Sequence, residues 1–386
     1  MQRSSVLAIA CCLIIAELNV GCAADIDDVR PQAEPEALSI AGIPLPGLQS
    51  CPSGYLAPGF WPPIDPVALL AGAASDCTVG TNRSPCAPHH VYTPSPVRVR
   101  EPLFVLLPGT NMEPDKHDLV LSMAASTGYR TIGLSYDNTV SVEDACAGLE
   151  TCGLDCAGLV RGEAVRGVDL TPQVAVARGD SVLVRLYRLL EQLDAIDPTG
   201  GWSSYYVPAV GSITPDNIVW ANIIIAGFSQ GAGHAAWISR QRQVHGLFIL
   251  DGADDTCLDP ATGDELPAEW LTTGLDASAG RPKYGYRHDH GTGDTSTTAS
   301  WQSLGLGIPL VNADVLDRVP PPHATVTEQG HPAMPKICSD HMSMARDECM
   351  PTDLAGMTAA TAAADAMLFN AYVSRLCYAC DSTTCP

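Results

Sequence analysis

Gly227-Phe228-Ser229-Gln230-Gly231 follows the apolar run Ile218-Val219-Trp220-Ala221-Asn222-Ile223-Ile224-Ile225-Ala226 and precedes a stretch of small residues with helical spacing. That order, strand then sharp turn then helix, decides how the rest of the chain is read. A G-x-S-x-G pentapeptide alone is common, but this junction gives it a mechanical meaning. The glycines leave room for a turn so tight that a side chain on either flank would collide with neighbouring backbone. The serine then sits on strained backbone with its hydroxyl projecting, and the helix start offers N–H groups and a positive dipole end.

Outward from this turn the chain alternates strands and helices. Upstream, Leu103-Phe104-Val105-Leu106-Leu107 is a short continuous apolar run, the pattern of a buried parallel strand, and it ends in Pro108-Gly109-Thr110-Asn111. Residues 118–128 have helical spacing, and Thr131–Tyr136 is the next strand, so strand, helix and strand fit one βαβ unit. Residues 141–175 read as a Cys- and Gly-rich insertion, and Val182 to Leu193 as an amphipathic helix. Downstream, Leu247–Leu250, Lys283–His288 and Ile308–Val311 read as strands, and Met357–Leu376 as an Ala-rich closing helix. The fold class expected is α/β, a doubly wound, mostly parallel sheet with Cys-rich insertions.

The 386 residues carry a formal net charge of −22, which repels phosphate and argues against nucleic-acid or anionic-membrane partners. Met1 to Ala16 has a basic start and an apolar stretch too short to span a bilayer comfortably, so residues 1–24 read as an export signal. Val20-Gly21-Cys22 resembles the end of a bacterial lipobox, with Asn19 where Leu usually stands. The alternative is cleavage after Ala24, so a lipid anchor at Cys22 is the one membrane attachment considered. Residues 25–50 are an acidic, Pro-rich linker, and 51–386 form the main domain, opening with an irregular, disulfide-tied lead-in that includes an edge hairpin. Of 15 cysteines, three lie in the signal region, and the remaining even dozen suits disulfides in an exported chain. Cys146, Cys152 and Cys156 lack paired metal-knuckle spacing, and Cys257 stands alone.

The elbow, the strand order and the Pro108-Gly109-Thr110 loop together resemble the α/β-hydrolase superfamily over roughly residues 100–375. Gly285-Tyr286-Arg287-His288-Asp289 and Trp301-x-x-Leu304-Gly305 make the resemblance closest to a group of exported bacterial serine hydrolases. The resemblance implies a Ser nucleophile, an acid and a His, in that chain order. Ser229 is the nucleophile, which needs an adjacent base because its hydroxyl is far from ionised at neutral pH. For the acid, Asp289 directly ends a strand, Asp294 lies five residues further on, and Asp254 and Asp255 follow the preceding strand. For the base, His323, His331 and His341 qualify by order. His341 lies nearest the closing helix, between Cys338 and Cys349, where a bridge would restrain its loop. Two N–H donors should hold a developing oxyanion: that of Gln230, and that of Thr110 or Asn111.

His288-Asp289-His290 invites a metal reading, but no third ligand is evident, so neither a metal nor a cofactor is expected. His234, five residues past Ser229, lies roughly 140° around the helix and reads as a packing histidine. Trp202, Tyr205 and Tyr206 read as packing more than as a cleft wall. The function expected is hydrolysis of a small-molecule or polymeric carboxylic ester through an acyl-enzyme, by Ser229, Asp289 and His341. The alternative is a non-catalytic surface or structural protein on the same fold.

Overall fold

Strand formation follows the apolar runs. The computed structural model describes residues 59–64, 84–96, 99–288, 295–306, 311–312, 324–327, 339, 341–347 and 349–350. In chain order the elements are β1 (Gly59–Phe60), β2 (His90–Thr93), β3 (Leu103–Leu107), α1 (Asp118–Ser126), β4 (Arg130–Gly133), α2 (Val142–Ala145), α3 (Cys156–Arg166) and α4 (Val182–Ile196). They continue with β5 (Ile223–Phe228), α5 (Gln230–Gln241), β6 (Gly246–Leu250), β7 (Thr256–Leu258), β8 (Glu265–Pro267), α6 (Glu269–Thr272), β9 (Lys283–His288), α7 (Thr295–Ser303), β10 (Val311–Asn312) and β11 (Ala324–Thr327).

The main sheet has the order β1-β2-β4-β3-β5-β6-β9-β11-β10. From β4 to β10 every pairing is parallel, and β2 and β1 add an antiparallel edge. The chain runs outward from β3 to β4, then returns to start β5 on the other side of β3. The strand order therefore reverses between β3 and β5, where the loops at the carboxyl ends diverge and leave a crevice.

Alternation along the central strands builds a core on each face. Leu103, Val105, Leu107, Ile223, Ile225, Leu247 and Ile249 join the side chains of α4 and α5 in one cluster. Phe104, Leu106, Ile224, Ala226, Phe228, Phe248 and Leu250 join α1 and the side chains of Met344, Ala345 and Met350 in the other. This is a doubly wound α/β fold. Helix α4 starts where Ser181 caps it, its side chain accepting from the Val184 N–H. Leu183, Leu186, Leu190 and Leu193 then recur on its buried face.

The expected strands at 103–107 and 283–288 match residue for residue, while in place of Thr131–Tyr136 β4 covers Arg130–Gly133, with the Leu134 N–H still donating to the Leu106 carbonyl of β3 at 3.0 Å. The lead-in's edge hairpin is two strands, β1 and β2, separated by a long connection instead of a tight turn. Of the strand expected at 308–311, Val311 lies in β10 and residues 308–310 lie outside the described residues; β11, which inserts between β10 and β9, was not foreseen. The insertion at 141–175 contains helices α2 and α3, clamped by Cys146–Cys156. Cys257 does not stand alone: it bridges Cys152, tying the insertion to β7. Cys86 and Cys349 are also disulfide-bonded. Trp202 and Tyr205 are fully buried, as packing residues are. The signal, Cys22, the linker, Cys338 and the helix expected at 357–376 lie outside the described residues.

Candidate active site

Ser229 ends the turn between β5 and α5 with φ 54° and ψ −125°. A non-glycine residue there costs of order 1–3 kcal/mol and persists because its surroundings force it. A Cβ on Gly227 would lie 2.1 Å from the Gly231 carbonyl oxygen, and one on Gly231 only 2.0 Å from that of Leu107. Both obstacles are backbone, so Gly231→Ala must push β3 and α5 apart. It is expected to lower stability by about 3 kcal/mol or more, read as the urea midpoint; an unchanged midpoint would refute this packing account.

Around Ser229 stand the loops after β3 and β6. A Cβ on Gly109 would touch Ser229 Cβ at 3.0 Å, and one on Gly252 would lie 2.4 Å from the Ser229 carbonyl oxygen. Five described non-glycine residues have positive φ, and four of them (Asn111, Ser229, Asp251 and Ala253) lie on these three loops. Strain gathered at one point of a fold marks a place built for something other than stability.

His341 arrives at this point on the segment leading into residues 342–344. Its Nδ1 lies 2.7 Å from Asp251 Oδ2, and its ring packs 4.7 Å from that of Phe228, the residue before Ser229. A carboxylate only accepts, so Nδ1 carries a proton, and the lone pair of the neutral ring is on Nε2. The Asp251 side chain is 6% exposed and that of His341 34%, so the carboxylate is shielded while the imidazole reaches solvent.

The acid positions expected from sequence fare differently. Asp289 and Asp294 lie outside the described residues, as do His323, His331 and His290. Asp255 is turned away and chelated by Arg161, with Nε and Nη2 each 2.5 Å from its oxygens. Asp254 is exposed. The carboxylate on His341 is Asp251, which the sequence reading passed over. Its signal was available: it directly ends Gly246–Leu250, the strand beside the elbow strand. Its left-handed φ of 42° turns the chain there, which no hydrophobic pattern announces.

Of the two candidate donors on the loop after β3, the Asn111 N–H is taken up by the Asn138 carbonyl at 3.1 Å. Among the described residues no bond engages the Thr110 N–H. The loop itself is tightly held. Tyr136 Oη donates to the Pro108 carbonyl at 2.8 Å, and Asn138 Nδ2 donates to those of Gly109 and Met112 at 2.6 and 3.0 Å. The Thr110 hydroxyl donates to Gln230 Oε1, linking this loop to α5. Gln230 Nε2 donates to the Val140 carbonyl at 2.9 Å. As the first residue of α5, Gln230 has no intrahelical partner for its own N–H. His234 is wholly buried, and desolvation, then Arg161, pushes its pKa well down.

The segment carrying His341 is anchored beneath the sheet. Buried His117, held neutral by desolvation with a pKa of about 4, donates from Nδ1 to the Ala345 carbonyl at 2.8 Å. Asp347 accepts from the Leu119 N–H at 3.0 Å. Burial, with smaller contributions from Asp118 and Asp115, raises its pKa from 3.8 to about 7. The folded state thus keeps a proton that the unfolded chain releases near pH 4, so this site's contribution to stability is lost as pH rises to about 7. Asp347→Asn retains the acceptor and removes the titration. Its urea midpoint is expected to gain on the wild type between pH 5 and pH 8; a constant difference would contradict it.

No family model matches the chain, and no curated protein matches it. Among solved structures, TT1662 from Thermus thermophilus is similar over 60% of this chain and 85% of that one, at 14% identity and a TM-score of 0.32. A likeness of that size carries no functional argument.

Proposed function

We propose that the protein is an exported serine hydrolase of the α/β-hydrolase type, acting on a carboxylic ester. The observation that carries this reading is the pairing of Asp251 with His341 against the strained elbow of Ser229. Ser229 Oγ attacks the acyl carbonyl while His341 Nε2 takes its proton, and Asp251 holds the Nδ1–H tautomer and stabilises the imidazolium. The N–H groups of Thr110 and Gln230 receive the oxyanion, each such donor contributing about 3–4 kcal/mol in the transition state. The His341 imidazolium then gives that proton to the alcohol oxygen as the ester C–O bond breaks, leaving the acyl group on Ser229, and water activated by the same His341 hydrolyses the acyl-enzyme to the free acid. Disulfides at Cys146–Cys156 and Cys152–Cys257 suit an oxidising compartment, in line with export. The direct test is a fluorophosphonate probe followed by peptide mapping, then acyl esters of graded chain length. Labelling is expected at Ser229; a folded protein that takes up no probe would leave the non-catalytic reading in its place.

A further inference from the structure

We propose that Arg161, supplied by the disulfide-tied insertion, is a positioning residue that locks the elbow helix to the turn carrying Asp251; this rests on the reading of Ser229 as the nucleophile. Arg161 is 2% exposed and uses all three guanidinium nitrogens. Nε and Nη2 chelate Asp255, four residues beyond Asp251, and Nη1 donates to the Gln230 carbonyl at 3.0 Å. Trp270 Nε1 donates to the same Asp255 at 2.7 Å, and its ring lies under the guanidinium, 5.7 Å from Cζ. The fit leaves no slack: a Cβ on Gly233 would lie 2.1 Å from Arg161 Cζ.

Stability does not explain the arrangement. A cation against the N-terminal turn of α5 opposes the helix dipole. A buried ion pair is also commonly no better than apolar residues of the same volume. What the arrangement does is close a ring. Gln230, whose N–H faces the oxyanion and whose side chain holds Thr110, is joined through Arg161 and Asp255 to the turn whose Asp251 holds His341. Cys152–Cys257 pins the same turn to the insertion two residues past Asp255. Donors and base are thereby kept in register, where a displacement of about 1 Å costs on the order of 100-fold in rate.

The test uses the full chain with Arg161→Met/Asp255→Leu, which removes both charges, and Arg161→Lys, which keeps charge but cannot chelate Asp255 and reach Gln230 together. Fluorophosphonate titration counts competent sites, and kcat is expressed per site. Expected are a fall of about 100-fold in the double variant, a smaller one in the lysine variant, and KM within about twofold of wild type. A purely structural role would lower the number of sites and leave kcat per site unchanged; that result in either variant overturns the proposal. Absence of labelling in the wild type would overturn the serine-hydrolase reading and this proposal together. Full labelling with unchanged kcat per site in the variants overturns only this one.

Discussion

Ser229→Ala is expected to lower ester turnover by about a millionfold and to abolish fluorophosphonate labelling, while the protein stays folded. The size follows from the proposed chemistry: without Oγ no acyl-enzyme forms. His341 has no proton to take, and Thr110 and Gln230 retain only the residual assistance that an oxyanion site gives to attack by water. Alanine also fits the space, since the elbow is shaped by Gly227 and Gly231, not by the hydroxyl. Folding is checked by the urea midpoint and activity by single-turnover hydrolysis of an activated ester. Retention of even a hundredth of the wild-type rate would place the nucleophile elsewhere.

Asp251→Asn is expected to lower kcat by about 10⁴-fold with KM little changed. The amide keeps the shape of the carboxylate, but it favours the opposite tautomer of His341 and gives no charge to the imidazolium. Because Asp251 Oδ2 faces Nδ1 at 2.7 Å, the loss should appear as a failure of proton transfer rather than of ester binding. Asp289→Asn and Asp294→Asn are the informative comparisons, since both residues are plausible from chain order alone. Should Asp289→Asn lose activity and Asp251→Asn keep it, the assignment of the acid reverts to Asp289, which follows β9 in the chain.

Most of the scaffold was legible because its signals are local. Leu103–Leu107 and Lys283–His288 form strands where their apolar and β-favouring runs lie, and Gly227–Gly231 marks the turn because only glycine escapes the backbone at 2.1 and 2.0 Å. Edge strands carried weaker patterns. β1 has two residues and β10 has two, too few for a period to register, and their pairing depends on a partner distant in sequence. The helices of the insertion were hidden for another reason. The face of α3 buries Arg161 and Glu163, whose polarity conceals a core position unless their partners are known.

Sequence alone determined the alternation of strands and helices, the elbow and the serine at its tip, because side-chain period and backbone sterics act over a few residues. His341 as the base candidate came from the chain order that the resemblance implies. The tertiary structure decided that the carboxylate on His341 is Asp251, that the Asn111 N–H is spent on Asn138, and that Arg161 reaches Gln230. Those choices turn on left-handed turns and on contacts between residues 27 to 90 positions apart. At such separations direction in space, not order in the chain, selects the partner.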